Sequence, residues 1–254
     1  MSTELLKNEQ WNKIVEFLRD CPHVYVGQEA QCRRFIEGVL WIGRSGSQWR
    51  LLPEKYGNWN SVYKRFARWA DQDIWHQMHQ SFIDDPDMEH LILDSTVVRA
   101  HPCAAGALKK DGGQAEQALG RSRGGFSTKI HVSVDGLGNP LRFVLTAGQR
   151  NDITQAEALV ADLDFKRLIA DKGYDADEFI KLIIEEYEAE AVIPPRSNRK
   201  QLREYDVHLY KERHLVECFI NKIKHYRRIF SRFEKLANRY FSFLSFIGTL
   251  IWLR

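Results

Sequence analysis

Residues 1 to about 85 place apolar side chains at helical intervals. In WNKIVEFLRD, Trp11, Ile14, Val15 and Leu18 stand at offsets 0, 3, 4 and 7, one side of a helix. CRRFIEGVLWIG continues a helical spacing with Phe35, Val39 and Leu40, and NSVYKRFARWADQDIW resumes it with Val62, Phe66, Trp69 and Ala70. Between them LLPEKYGNW breaks the period at Pro53 and Gly57. Several short helices are predicted, with Trp41, Trp49, Trp59 and Trp69 as core. The acidic stretch DDPDME (84–89) follows as a linker.

The period then shortens. HLILDSTVV is a β-branched strand around Asp94. In STKIHVSVDGLGNPLRFVLTAG, Ile130, Val132 and Val134 alternate, a Gly-rich turn follows, and Phe143 and Leu145 lie on a second strand. TQAEALVADL opens with Thr154 and Glu157, the spacing of a capping box. RLIADKGYD is a short strand ending at Asp171. DADEFIKLIIEEY starts another helix with Asp175 and Glu178, and AEAVIPP is a last strand stopped by Pro194 and Pro195. The predicted order is β-β-β-α-β-α-β and then helix, with everything from about 205 to the end helical. The segment HPCAAGALKKDGGQAEQALGRSRGG has no regular apolar period and reads as a mobile loop.

Within the last zone, YKERHLVECFINKIK (210–224) sets Tyr210, Arg213, Glu217 and Lys224 at offsets 0, 3, 7 and 14. At 100° per residue these fall at about 0°, 300°, 340° and 320°, a narrow polar stripe. Val216, Phe219, Ile220 and Ile223 form the adjoining apolar face. A simple Arg213–Glu217 surface pair, about 0.2–0.5 kcal/mol, would explain two of the four.

Composition changes the picture in two places. The net charge is only +3, yet residues 196–239 hold 13 Lys/Arg against 5 Asp/Glu, while residues 1–195 are net acidic. Such a block is either a polyanion-facing surface or a solvated helix face. Four scattered cysteines without a C-x-x-C pair, and a first segment without an apolar signal core, point to a reduced, cytoplasmic setting. The C-terminal FSFLSFIGTLIWLR falls short of the roughly 20 residues of a membrane span and is expected to be a buried helix.

Asp94 and Asp171 each end an apolar strand, LIL and LIA. With Glu217 on a helix they make three carboxylates. If they converge, their repulsion requires a cation, and all-oxygen ligands favour Mg²⁺ or Mn²⁺. Two such ions clamp an in-line phosphoryl displacement. Cations on the Glu217 stripe would then meet phosphate oxygens.

Tyr210, Arg213, Glu217 and Lys224 match the Y-x2-R-x3-E-x6-K signature of DDE transposases of bacterial insertion sequences, without departure. DSTVVRAH around Asp94 and ADKGYD around Asp171 resemble the family's two Asp segments, and FIEGVLWIGRSGSQWRLLPEKYGNWNSVYKRFARW is similar to its leading helical domain. The set most resembles the insertion sequence five family. The resemblance implies an α/β fold, a ribonuclease H-like mixed-sheet catalytic core (86–254 with C-terminal helices), preceded by a small all-α domain (1–85) for DNA-end recognition. It implies Asp94, Asp171 and Glu217 as catalytic metal ligands for two divalent cations. Tyr210, Arg213 and Lys224 are implied as contacts near the catalytic pocket and DNA end. Lys172 either contacts phosphate or is solvated, and Arg227 and Arg228 of the basic block are expected as further DNA contacts. The partners would be the terminal inverted repeats and target DNA, held by a homodimer, with no membrane. His101 is either a proton relay or structural; Arg33, Arg34, Arg44, Lys64, Arg65 and Arg68 are either end-reading or ordinary surface charge. A silent DNA-binding descendant, a nuclease on the same fold, or a phosphatase with Asp94 as nucleophile would be the other readings.

Overall fold

The computed structural model describes residues 5–108, 111–122, 124–200 and 202–254. Four helices come first: α1 (Asn8–Asp20), α2 (Glu29–Ser45), α3 (Trp59–Asp71) and α4 (Ile74–Ser81). The predicted apolar positions are the buried ones: Trp11, Ile14, Val15 and Leu18 on α1, Val62, Phe66, Trp69 and Ala70 on α3. Asn58 caps α3 by accepting from the Asn60 and Ser61 amides. The break at Pro53 and Gly57 holds a 3-10 turn (Glu54–Tyr56), and Gly57 adopts a φ of 102° that a side chain would strain.

A mixed sheet follows. Its long strand β1 (His90–Ala100) carries β2 (Gly120–Ser122), β3 (Gly125–Val134) and β4 (Pro140–Ala147) on one side. β3 pairs antiparallel with all three. On the other side β5 (Arg167–Ile169) and β6 (Glu190–Val192) run parallel to β1. The helices α6 (Ala156–Val160) and α7 (Asp177–Glu185) fill the crossovers, and α5 (Gly113–Glu116) lies between β1 and β2. After β6 come α8 (His214–Lys224), α9 (Arg227–Phe230), the short strand β7 (Ser231–Arg232) and α10 (Ala237–Trp252).

Alternation along β1 separates two cores. Ile92 and Val98 face one cluster with Ile130, Val132, Phe143, α8, α10 and all four N-terminal helices. Leu91 and Leu93 face a second with Leu168, α6 and α7. α10 is apolar nearly all round, as a helix buried on all sides must be; it packs between α4, α3 and β4. Trp75 is fully buried among Phe35, Phe66, Trp69 and Phe246, which joins α2, α3 and α4 to α10 through one aromatic cluster. No helix among the described residues is long and apolar enough to cross a membrane.

Five expectations need correction. Asp94 does not end its strand: β1 runs on past it to Ala100, paired with β3. The last zone is not continuous helix: Leu209–Arg213 is a 3-10 turn, and β7 pairs with Arg99–Ala100, where β5 has already left the edge of β1. An open sheet edge there outweighs local helix preference. Thr154 does not cap α6; its hydroxyl donates to the Asn151 carbonyl. Asp175 does not cap α7; its buried carboxylate is taken by Arg199, Arg203 and the Arg196 amide. The segment read as a mobile loop holds a 3-10 turn (Pro102–Ala105), α5 and β2, and buried Arg232 ties it down through the Gln117 carbonyl at 2.7 Å. Lys109, Lys110 and Arg123 of that segment lie outside the described residues.

Candidate active site

Parallel pairing brings the two aspartates together. Ile92 pairs with Ile169, and Asp94 and Asp171 each stand two residues further on. Two residues restore the side-chain face, so Asp94, within β1, and Asp171, just past the end of β5, both face the side of Ile92, toward α8. Asp171 is fixed by accepting from the Gly173 amide at 2.7 Å, and a Cβ at Gly173 would lie within 2.7 Å of the same oxygen. Glycine there lets the backbone turn against the carboxylate. Asp94 accepts from the Ser95 amide at 2.8 Å.

The third carboxylate arrives on the first turn of α8. Arg213 donates to Glu217 and, at 3.0 Å, to Asp94. One guanidinium, 119 residues from Asp94 in sequence, therefore joins the long strand β1 to α8. Burial pushes the Asp94 carboxyl up, Arg213 and the Ser95 amide pull it down, and Asp171 and Glu217 push it up again; the outcome is a raised pKa. Burial alone would lower the Arg213 pKa, but Asp94 and Glu217 outweigh it and raise it. Tyr210 packs edge-on to Tyr205 at 5.7 Å. Its pKa is raised by burial first, with Arg213 opposing and Asp171 adding. The structure thus joins Asp94, Arg213 and Glu217 directly, with Asp171 and Tyr210 close enough to act on them electrostatically, although Tyr210 and Arg213 stand on a 3-10 turn.

Among the described residues no three His, Cys, Asp or Glu side chains close around one point. The donor chemistry nonetheless fits a hard divalent cation. The acidic groups offer only oxygen, they repel one another, and the positive charge between Asp94 and Glu217 is supplied by Arg213 as a stand-in.

The remaining sequence candidates separate. Lys172 is exposed beside Asp171, and its carbonyl accepts from Arg196. Lys224 ends α8 and lines a groove with Arg227, which is exposed. Arg228 points the other way: it is buried, pairs with Glu234 at 2.6 Å and donates to the Ser47 carbonyl. Its expected DNA contact is corrected here, because neighbouring residues of a short helix cannot share a face. Arg199 and Arg203 hold Asp175 and Asp177, and Arg239 holds Asp71, so much of the basic block is structural. His101 stacks on Phe233 and its Nδ1 accepts from the Cys103 amide, a structural role. Of the N-terminal cations, Arg33 pairs with Glu37 and Arg65 covers Phe35 and Trp69. Arg34, Arg44, Lys64 and Arg68 are exposed.

Sequence reading missed Asp152. Its Oδ1 accepts from Ser95 Oγ at 2.6 Å and from Lys129 Nζ at 3.1 Å, and its Oδ2 comes within 3.7 Å of where a Cβ on Gly173 would stand, next to Asp171. His131 stands 3.5 Å away, and burial lowers its pKa to about 4. The buried Tyr174 hydroxyl has no hydrogen-bond partner among the described residues; burial, then Asp152, Asp94 and Asp171, raise its pKa. The signal available was NDIT directly after a strand, which reads as an ordinary helix start.

Residues 6–79 match the family profile described as "Putative transposase of IS4/5 family" and residues 85–247 the profile described as "Transposase DDE domain". A Brucella ovis protein described as "Putative transposase for insertion sequence element IS6501" is 41% identical over 130 residues, covering 51% of this chain and 100% of the relative. A Sinorhizobium fredii protein, "Uncharacterized protein y4sN", is 36% identical over 118 residues, covering 46% of this chain and 94% of its own. A solved piggyBac transposase synaptic complex with hairpin DNA aligns at 14% identity with a TM-score of 0.42. That alignment covers 74% of this chain and 48%, about half, of the other.

Proposed function

The chain belongs to the DDE transposase family of insertion sequences, and from that premise we propose that it binds the terminal inverted repeats of its element, cleaves at the ends and joins the 3′ ends to target DNA. The observation that carries this reading is the single guanidinium of Arg213 joined to Asp94 and Glu217, beside Asp171. Asp94 and Glu217, from a strand and a helix, share that guanidinium, and Asp171 follows the strand paired with β1. The strand order β4-β3-β1-β5-β6, antiparallel then parallel, supports a ribonuclease H-like core.

Transposase DDE domains use divalent metal ions. Here Asp94, Asp171 and Glu217 would hold two, Mg²⁺ or Mn²⁺, which when bound activate the attacking oxygen and stabilise the leaving one. The chain's own groups do the rest. Arg213 turns from carboxylate to phosphate, for which its planar fork is equally suited. Lys224, Arg227 and Lys172 hold the DNA backbone, and Tyr210 borders the pocket on the Asp171 side. Residues 1–85 are proposed to read the element end with Arg34, Arg44, Lys64 and Arg68. Holding two ends at once calls for a homodimer.

The test is strand transfer. Purified protein is incubated with labelled end DNA and supercoiled plasmid in Mg²⁺, Mn²⁺ or EDTA. Joined product is expected with either metal, none with EDTA, and none with Glu217→Ala, whose DNA binding stays near wild type. Cleavage without joining would replace this reading by a nuclease, and joining by Glu217→Ala would remove Glu217 from the site.

A further inference from the structure

Phe230 is one of the larger apolar side chains left in water, 61% exposed. A single exposed phenylalanine usually needs no explanation. This one differs in its surroundings and in its rigidity.

It lies in a groove of about 670 Å³ lined by Ser45, Gly46, Lys224, His225, Arg227 and Phe233. That volume is within the roughly 300–1,000 Å³ of ligand sites. Lys224, which lines the groove, stands two turns of α8 beyond Glu217. His225 also borders a neighbouring hollow with Arg44, Lys222 and Arg254. Of these cations Arg44, Lys222, Lys224, Arg227 and Arg254, none forms an ion pair among the described residues, unlike Arg199, Arg203, Arg213, Arg228 and Arg239. The surface is positive without internal compensation.

The platform under Phe230 is stiff. Its amide donates to the Tyr226 carbonyl at 2.9 Å, and the next two residues pair with β1. Buried Arg228 anchors α9 to Glu234 and to the Ser47 carbonyl. Gly46, with φ 69°, lets the end of α2 approach so closely that a Cβ would stand 2.8 Å from the Arg227 Cβ. The fold fixes Arg227 and Phe230 outward and spends Arg228 on holding them there.

An aromatic face set among uncompensated cations is the arrangement that binds single-stranded nucleic acid, with the ring stacking on a base and the cations following the backbone. Inside a duplex both faces of a base are already covered, so the ring needs a base without a neighbour. We propose that Phe230 stacks on an unpaired nucleotide of DNA leaving the active site along the Lys224–Arg227 groove. This rests on the transposase reading above.

The probes are a 20-base-pair duplex, blunt or carrying a five-nucleotide single-stranded extension with 2-aminopurine, titrated with the full chain in EDTA so that no cleavage occurs. Wild type is expected to bind the extended DNA more tightly and to quench the 2-aminopurine. Phe230→Ala should lose the quenching and bind the extended DNA roughly 5- to 150-fold more weakly, the loss of one stack, with blunt affinity unchanged. Phe230→Trp should restore both. Undiminished quenching in Phe230→Ala, or equal weakening on both DNAs, overturns the inference. Arg227→Ala separates it from its premise: if this variant binds both DNAs as wild type does, DNA does not lie on this face at all; if it weakens both while Phe230→Ala weakens neither, the stacking inference alone fails.

Discussion

Arg213 offers the sharpest energetic test. Arg213→Gln keeps most of the stem and removes the charge. The lost bond to Asp94 is charge-assisted and mostly out of water, with 19% and 13% of the two side chains exposed; such bonds are worth about 1.5–3 kcal/mol. Glu217 is half exposed, so its share is an ordinary i,i+4 pair of about 0.3–0.5 kcal/mol. A loss of about 2–3 kcal/mol is expected in urea unfolding at pH 7 in EDTA. The sign of the pH effect follows from Asp94. Its folded-state pKa is already raised above the unfolded value, chiefly by burial. Its contribution to stability is therefore present in full below the unfolded pKa and is lost as pH rises through the folded one. Removing Arg213 takes away the strongest downward pull, so the deficit of Arg213→Gln is largest at neutral pH and shrinks as Asp94 takes up its proton. Asp94→Asn in the same chain should shrink it at pH 7 as well, giving a coupling energy above about 1 kcal/mol. A deficit under about 0.5 kcal/mol, or one indifferent both to pH and to Asp94→Asn, would refute the view that Arg213 neutralises a buried carboxylate.

Trp75→Ala should cost about 3–5 kcal/mol, and because its neighbours belong to α2, α3 and α10, circular dichroism and tryptophan fluorescence should report one shared transition shifted to lower urea. Asp175→Ala strands Arg199 and Arg203, and about 3–5 kcal/mol should be lost at pH 7. Burial would raise the Asp175 pKa, but Arg199, the Arg196 amide and Arg203 outweigh it and lower it, so wild type should keep this contribution until pH falls through the depressed value. His79 and His131 are both lowered to about 4 by burial; their contributions are present above the unfolded pKa near 6.5 and lost as pH falls toward 4, at up to about 1.4 kcal/mol per pH unit each. Replacing both by Gln should flatten that part of the urea-midpoint profile between pH 6.5 and 5. DNA binding should weaken steeply with salt, and a flat response would remove Lys224 and Arg227 from the interface.

The fold was legible wherever one periodicity ran long enough to dominate. Trp11, Ile14, Val15 and Leu18 are buried because their spacing leaves no other way to satisfy α1, and the alternation of Ile130, Val132 and Val134 survives intact in β3. The failures share a cause. Thr154 and Asp175 have the right offsets for helix caps, yet each found a partner outside the helix. The strand at Ser231–Arg232 exists only because β1 outlasts β5 and leaves an edge to be paired. A two-residue strand has no period of its own, so only its distant partner reveals it.

The site shows the same division at finer scale. Asp94 and Asp171 were visible because a carboxylate after an apolar run is conspicuous; only Asp171 follows a strand's end, Asp94 lies within β1, and the parallel register makes the two neighbours. The stripe of Tyr210, Arg213 and Glu217 was also visible, but a helical wheel could say only that Arg213 and Glu217 are within reach of each other. That pairing alone is worth a few tenths of a kcal/mol and would mark a solvated surface. What changes its meaning is the second bond, from the same guanidinium to Asp94. A surface pair thereby becomes the counter-charge of a largely buried carboxylate, and the helix is tied to the strand that carries it. Arg228 went wrong for the complementary reason. Two adjacent arginines look alike in a basic run, and only the closing of Glu234 and Ser47 around one of them decides which is turned inward. Charge counted along a chain therefore overstates a DNA-binding face by the number of cations the fold has already engaged, and Lys224 and Arg227 are better candidates than the block that contains them because no carboxylate has claimed them.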